Sequence, residues 1–154
     1  MLAIISMPIA AQDNPLLVPY TTPYETPPFD KIQNAHYLPA FQEGIKQQAA
    51  EIAAIADNPS APTFDNTVAA FDRSGELLSN VRAVFYGLLG TVTTPELQDI
   101  AKQLSPLLST HSDNIWLNEK LFARMKAVYD QRATLKLSAE QHYLLELLYR
   151  NFQR

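Results

Sequence analysis

The chain has 154 residues, 47% of them apolar and 18% charged, with a net charge of -4 and a sequence pI near 5.3. That is enough chain for one domain with its own core, and the lack of any basic block argues against nucleic acid as a partner. Cysteine is absent, which excludes disulfide stapling, thiolate catalysis and cysteine-ligated zinc or iron–sulfur sites.

Residues 1–11 are almost wholly apolar. The run is too short to cross a bilayer as a helix, which takes about 20 residues, and no membrane contact is expected. It reads either as a signal-peptide remnant, with cleavage near Ala10 or Ala11, or as an apolar leader. The first reading places the protein in the periplasm and the second in the cytoplasm. Residues 12–34 carry Pro15, Pro19, Pro23, Pro27 and Pro28. Proline fixes its own φ and biases the preceding residue toward extended backbone, so this segment is an extended arm, held to a surface by Tyr20, Tyr24 and Phe29. A proline-rich ligand for another domain is the alternative.

Residues 35–154 form a helical domain. A first helix starts near Ala35 to Pro39 and runs to about Asp57, with Phe41, Ile45, Ala49, Ile52 and Ile55 or Ala56 on its buried stripe. Asn58-Pro59 ends it, and the short loop to Pro62 makes the next helix an antiparallel neighbour. That next helix is expected to be one long rod from Pro62 to Gly90, capped by Thr63 and stopped by Gly90, with the seam Phe64, Val68, Phe71, Leu78, Val81, Phe85 and Leu88. Gly75 falls on the seam, and close approach by a neighbouring helix is favoured there over a hinge. Thr94-Pro95-Glu96 opens a third helix that Pro106 kinks or breaks, with a turn or second cap at Ser112-Asp113-Asn114. Asn118 caps a fourth, with Leu121, Phe122, Met125, Val128 and Tyr129 inside. Ser138 and Gln141 form a capping box for the last. That last helix carries Leu144, Leu145, Leu147, Leu148 and Phe152, a stripe too broad for one neighbour, and it has no terminator before Arg154. The expectation is an all-α, antiparallel bundle of about five helices whose natural chain continues and covers part of this surface.

Chemistry is sparse. His36, His111 and His142 form no His-x-x-x-His pair, so the helical two-histidine zinc arrangement is missing. Glu140 and His142 diverge on a helix, while His142 and Glu146 read as a surface pair. His111 is expected in a turn with Asp113 for company, and His36 as a capping or packing residue. Ser74-Gly75 lacks the upstream glycine of a nucleophile elbow. Four glycines leave no phosphate-binding loop. Asp65 and Asn66 fit a helix's first turn better than a ligand set. On the residues alone no catalytic, metal or substrate-binding position is assigned.

Read together, several motifs appear in order: Asn14-Pro15-Leu16-Leu17, Pro28-Phe29-Asp30-Lys31-Ile32, His36-Tyr37-Leu38-Pro39-Ala40-Phe41 and Pro62-Thr63-Phe64-Asp65-Asn66-Thr67. Leu108-Ser109-x-His111-x-Asp113-x-Ile115 and Leu117-Asn118-x-x-Leu121-Phe122 follow. This series resembles the N-terminal region of the thimet-oligopeptidase family of zinc metallopeptidases, closest to its bacterial peptidyl-dipeptidase branch, over residues 14 to 153. The resemblance implies a much longer parent that hydrolyses short peptides and releases C-terminal dipeptides. It also implies that a His-Glu-x-x-His zinc site lies in a C-terminal catalytic domain, so no zinc ligand is carried over to this chain. The piece would be a wall of the substrate channel, inactive alone. The competing reading is a stand-alone helical binding or scaffold module.

Overall fold

The structure is a computed structural model that describes residues 14–154; the leader at residues 1–11 and the first two residues of the arm lie outside them. Among the described residues there are helices and no strands, as expected. Helix α1 spans Asn34–Ala56. A π-helical segment, Phe64–Ala69, runs into a single turn, α2, at Ala70–Asp72. Then come α3 (Glu76–Thr91), α4 (Pro95–Trp116), α5 (Glu119–Asp130) and α6 (Ala139–Phe152).

The expected Pro62–Gly90 rod is two pieces. Thr63 caps the first piece through Asn66 N–H at 3.1 Å, as its side chain should. The break falls at Gly75, whose φ of 77° is left-handed. Glycine is needed here on two counts: its backbone takes a conformation that other residues adopt at a cost, and the expected close approach of a neighbouring helix is present, since an added Cβ would lie 2.3 Å from the Gln48 amide of α1. Helix α1 holds the break in place. Glu51 Oε2 accepts the Gly75 N–H at 2.7 Å, and Ser74 Oγ donates to the Phe71 carbonyl at 2.7 Å. A second close approach of α1 and α3 occurs at Gly44 of α1, where an added Cβ would lie 2.9 Å from the Leu78 Cα.

The break divides the apolar seam between separate cores. Leu78, Val81, Val84 and Phe85 of α3 meet Tyr37, Ala40 and Phe41 of α1, Leu97 and Leu104 of α4, and Leu16 of the arm. Phe85 takes both Tyr37 and Phe41 edge-on, with ring centroids 5.0 and 5.5 Å away. On the other side of the break, Phe64 and Val68 pack with Met125 and Val128 of α5 and Leu145 and Leu148 of α6. A third, smaller cluster joins Ile52 and Ile55 to Ile115 and Leu121. Each fully buried aliphatic or aromatic side chain contributes roughly 1.5–3 kcal/mol. The pairings Tyr37–Phe85, Gly44–Leu78 and Gln48–Ser74 show that α1 and α3 run antiparallel.

Four further expectations are corrected. Helix α3 passes through Gly90, because the hydroxyls of Thr91 and Thr93 take the carbonyls of Gly87 and Leu89 at its end. Helix α4 is unbroken at Pro106, and Ser112–Asn114 are helical. Proline forfeits one backbone bond there, and the buried Leu97, Leu104, His111 and Ile115 hold the helix on both sides of it. In α1, Ala49 is exposed. The arm also differs in what anchors it: Tyr24 is 98% exposed and Phe29 faces largely outward, whereas Leu16 is buried and Asn14 donates to the His36 carbonyl at 2.8 Å. A 3-10 turn at Pro23–Glu25 interrupts its extended course.

Gly75→Ala combines a left-handed backbone with a Cβ that overlaps the Gln48 amide. It should lower unfolding free energy by about 2 kcal/mol, read as a drop in the urea midpoint at unchanged m-value.

Candidate functional site

Polar groups concentrate in three places. The first is the contact between α1 and the Gly75 break. Gln48 of α1 is bound on both sides: its Oε1 accepts from His111 Nε2 at 2.8 Å, and its Nε2 donates to Ser74 Oγ at 3.4 Å. His111 is therefore not in a turn beside Asp113. It stands in mid-α4, 7% exposed, where burial pushes its pKa below the usual histidine value. The expectation failed because it required α4 to break near Ser112.

The second place was not foreseen at all. Arg124 of α5 is 8% exposed. Its Nη1 donates to the carbonyls of Asn58 and Ser60 at 2.8 and 3.0 Å, and its Nη2 donates to Asn66 Oδ1 at 3.1 Å. A guanidinium projects several donors in a fixed plane, and here they bind the loop between α1 and the π-helical segment to α5. No carboxylate lies within ion-pair distance of it among the described residues. The Asn66 side chain also accepts the Thr63 N–H and the Thr67 hydroxyl, each at 2.8 Å, and donates to the Ala61 carbonyl. Only the position of Arg124 one to three residues from the apolar Leu121, Phe122 and Met125 hinted at burial.

The third is a groove of about 790 Å³ between the arm, α1 and α3. Leu16, Val18, Leu77 and Val84 give it apolar walls, while Tyr20, Glu25, Gln47, Glu51, Glu76 and Asn80 give it polar ones. Burial raises the pKa of Tyr20, and burial followed by the charge of Tyr20 raises that of Tyr37. The groove's carboxylates and amides can hydrogen-bond a polar ligand. No histidine, serine or arginine lines it to act as nucleophile or proton shuttle.

The remaining histidines take local roles. His36 Nδ1 accepts the Gln33 N–H at 3.0 Å at the start of α1, the capping role expected of it. His142 and Glu146 share the lining of a shallow surface depression, without an ion pair between them. Among the described residues no three metal-ligating side chains converge.

Two tests follow from this geometry. Arg124→Met strands the Asn58 and Ser60 carbonyls and should cost about 3 kcal/mol in chemical denaturation. Arg124→Lys should not restore the loss, because one ammonium cannot span the same acceptors. For His111, the folded state disfavours the protonated ring, so the unfolded state binds more protons. Its contribution is complete above about pH 6.5 and is lost as pH falls below that value. Between pH 7.5 and 5 the wild type should therefore lose more stability than His111→Gln, measured by urea midpoints.

No protein-family model matches the chain. Individual relatives do. The chain is 47% identical over 139 residues to dipeptidyl carboxypeptidase of Escherichia coli, covering 90% of this chain and 20% of that protein. It is 43% identical to dipeptidyl carboxypeptidase of Salmonella typhimurium over the same length and shares. It is 25% identical over 140 residues to oligopeptidase A of Escherichia coli, covering 91% of this chain and 20% of the relative. The chain thus spans about one fifth of the length of the curated relatives it matches. The ordered motifs and this graded similarity agree: the chain is similar to an N-terminal stretch of a dipeptidyl carboxypeptidase-like thimet oligopeptidase.

Proposed function

We propose that these 154 residues act as the N-terminal helical region of a peptide-hydrolysing enzyme that releases C-terminal dipeptides. The observation that supports this most is 47% identity sustained over 139 residues with a relative named for that activity. The region's role is scaffolding: it forms a wall beside the substrate channel and restricts entry to short, unfolded peptides. Its own residues supply packing, helix caps and the Arg124 clamp, all of which keep a wall rigid. The family resemblance implies a zinc ion. The described residues offer no three-ligand group that fits one, so no zinc ligand and no step of hydrolysis is assigned to this chain. A catalytic domain outside these residues would carry both.

A chimera tests the reading. In Escherichia coli dipeptidyl carboxypeptidase, the 139 aligned residues are replaced by those of this chain. The chimera should release dipeptides with kcat/KM within about tenfold of the parent, while the isolated chain supplied with zinc should release none. A folded chimera without dipeptide release, or turnover by the isolated chain, overturns the proposal.

A further inference from the structure

The groove between the arm, α1 and α3 continues along α3 into a second, apolar part. The larger part, about 790 Å³, carries three carboxylates, those of Glu25 on the arm, Glu51 on α1 and Glu76 on α3, together with the amides of Gln47 and Asn80. The smaller part, about 350 Å³, is walled by Phe29, Leu88 and the bare backbone of Gly87. Pro27, Ala83 and Val84 line both parts, so the two adjoin. No lysine, arginine or histidine lines either one. None of the three carboxylates is ion-paired among the described residues. The cations close to them in sequence do not neutralise them: Lys46 pairs with Glu43, Arg82 lies over the Tyr86 ring at 5.8 Å, and Lys31 and Arg73 line neither part.

A separate observation comes from the apolar end. Gly87 stands within α3 without a left-handed φ, and an added Cβ there would meet no neighbouring side chain within 4 Å. Neither its backbone nor packing inside the chain calls for glycine, although glycine weakens a helix relative to alanine. It leaves open space over α3, next to a Phe29 ring that is 54% exposed.

We infer that this groove binds an extended peptide with positive charge at one end and an apolar side chain at the other. The charge meets Glu25, Glu51 and Glu76, and the apolar side chain rests over Gly87 between Phe29 and Leu88. Gln47 and Asn80 offer donors and acceptors to the peptide backbone between them. From Glu76 to Gly87 the helix rises about 16 Å at ~1.5 Å per residue. An extended chain spans that with roughly five residues at ~3.3 Å each. Charge complementarity selects this occupant. Residues 1–13 hold no lysine or arginine, and a second copy of the chain brings a net charge of -4, so both lack the required cation end.

Calorimetric titration of the 154-residue chain tests this, using the end-blocked peptides Lys-Lys-Ala-Ala-Phe and Phe-Ala-Ala-Lys-Lys. One of the two should bind with a Kd below about 1 mM, more weakly as salt is raised, while the same peptides with glutamate for lysine should not bind. Glu25→Gln/Glu76→Gln and Gly87→Leu should each weaken binding at least about tenfold, with melting temperatures within about 3 °C of the wild type. Gly87→Ala should raise the melting temperature and still weaken binding, opposite signs that a purely structural role would not produce. No binding of either lysine peptide, equal binding of the glutamate controls, or wild-type affinity in the carboxylate or leucine variant overturns the inference. Binding that appears only once residues 1–13 are removed, or self-association that Gly87→Leu abolishes, assigns the groove to another occupant and equally overturns it. Because binding is read on the chain alone, failure here leaves the peptidase reading to the chimera.

Discussion

The left-handed residue at Gly75, and the grip of α1 on it, is the constraint on which the arrangement turns. Without a change of direction there, Phe64 and Val68 would continue the line of Leu78 and Phe85, and all four would need one continuous partner surface. With it, α3 packs on α1 and α4 while the π-helical segment packs on α5 and α6. Glu51 and Gln48 reach the break from a single helix. Gly44, one turn before Gln48, lets α1 and α3 come close enough for those side chains to reach. One end of the bundle is therefore positioned relative to the other by a short stretch of α1.

Local signals in the sequence were read well where they are self-contained. Thr63, Thr94, Asn118 and Ser138 all cap the helices expected of them, because a cap needs only its own first turn. The core positions Phe41, Ile52, Ile55, Leu121, Met125 and Val128 were legible from helical spacing for the same reason. The misreadings share a cause. Pro106 and Gly75 both looked like mid-helix disturbances, and sequence alone ranked proline as the breaker. Long-range contacts reversed the ranking: buried neighbours hold α4 through Pro106, whereas α1 supplies hydrogen-bond partners that make a break at Gly75 cheap.

The polar interior was the least legible part. Gln48 and His111 are 63 positions apart, and Arg124 lies 66 positions from Asn58. Nothing in the spacing of either pair announces a contact. The family resemblance fared better because it uses the order of many weak motifs. Three of those motifs now have a physical account. Asn14 ties the arm to the start of α1, His36 caps α1, and the Thr63–Asn66 box caps the π-helical segment. Motif residues that contribute no chemistry can still define a family when the backbone depends on them.

The aromatic side chains at the far end of the bundle form a connected series. Phe71 meets Trp116, Trp116 meets Phe152, and Phe152 meets Phe122, with centroid separations of 4.8 to 5.9 Å. The series draws on α2, α4, α5 and α6, and Trp116 is the only tryptophan in the sequence. Its indole consequently sits where the ends of α4 and α6 meet, away from the Tyr37–Phe41–Phe85 cluster at the other end. Its emission is a built-in reporter of one half of the molecule. If the end beyond the Gly75 break loosened before the end built on α1 and α3, tryptophan fluorescence would change while much of the helical circular dichroism remained.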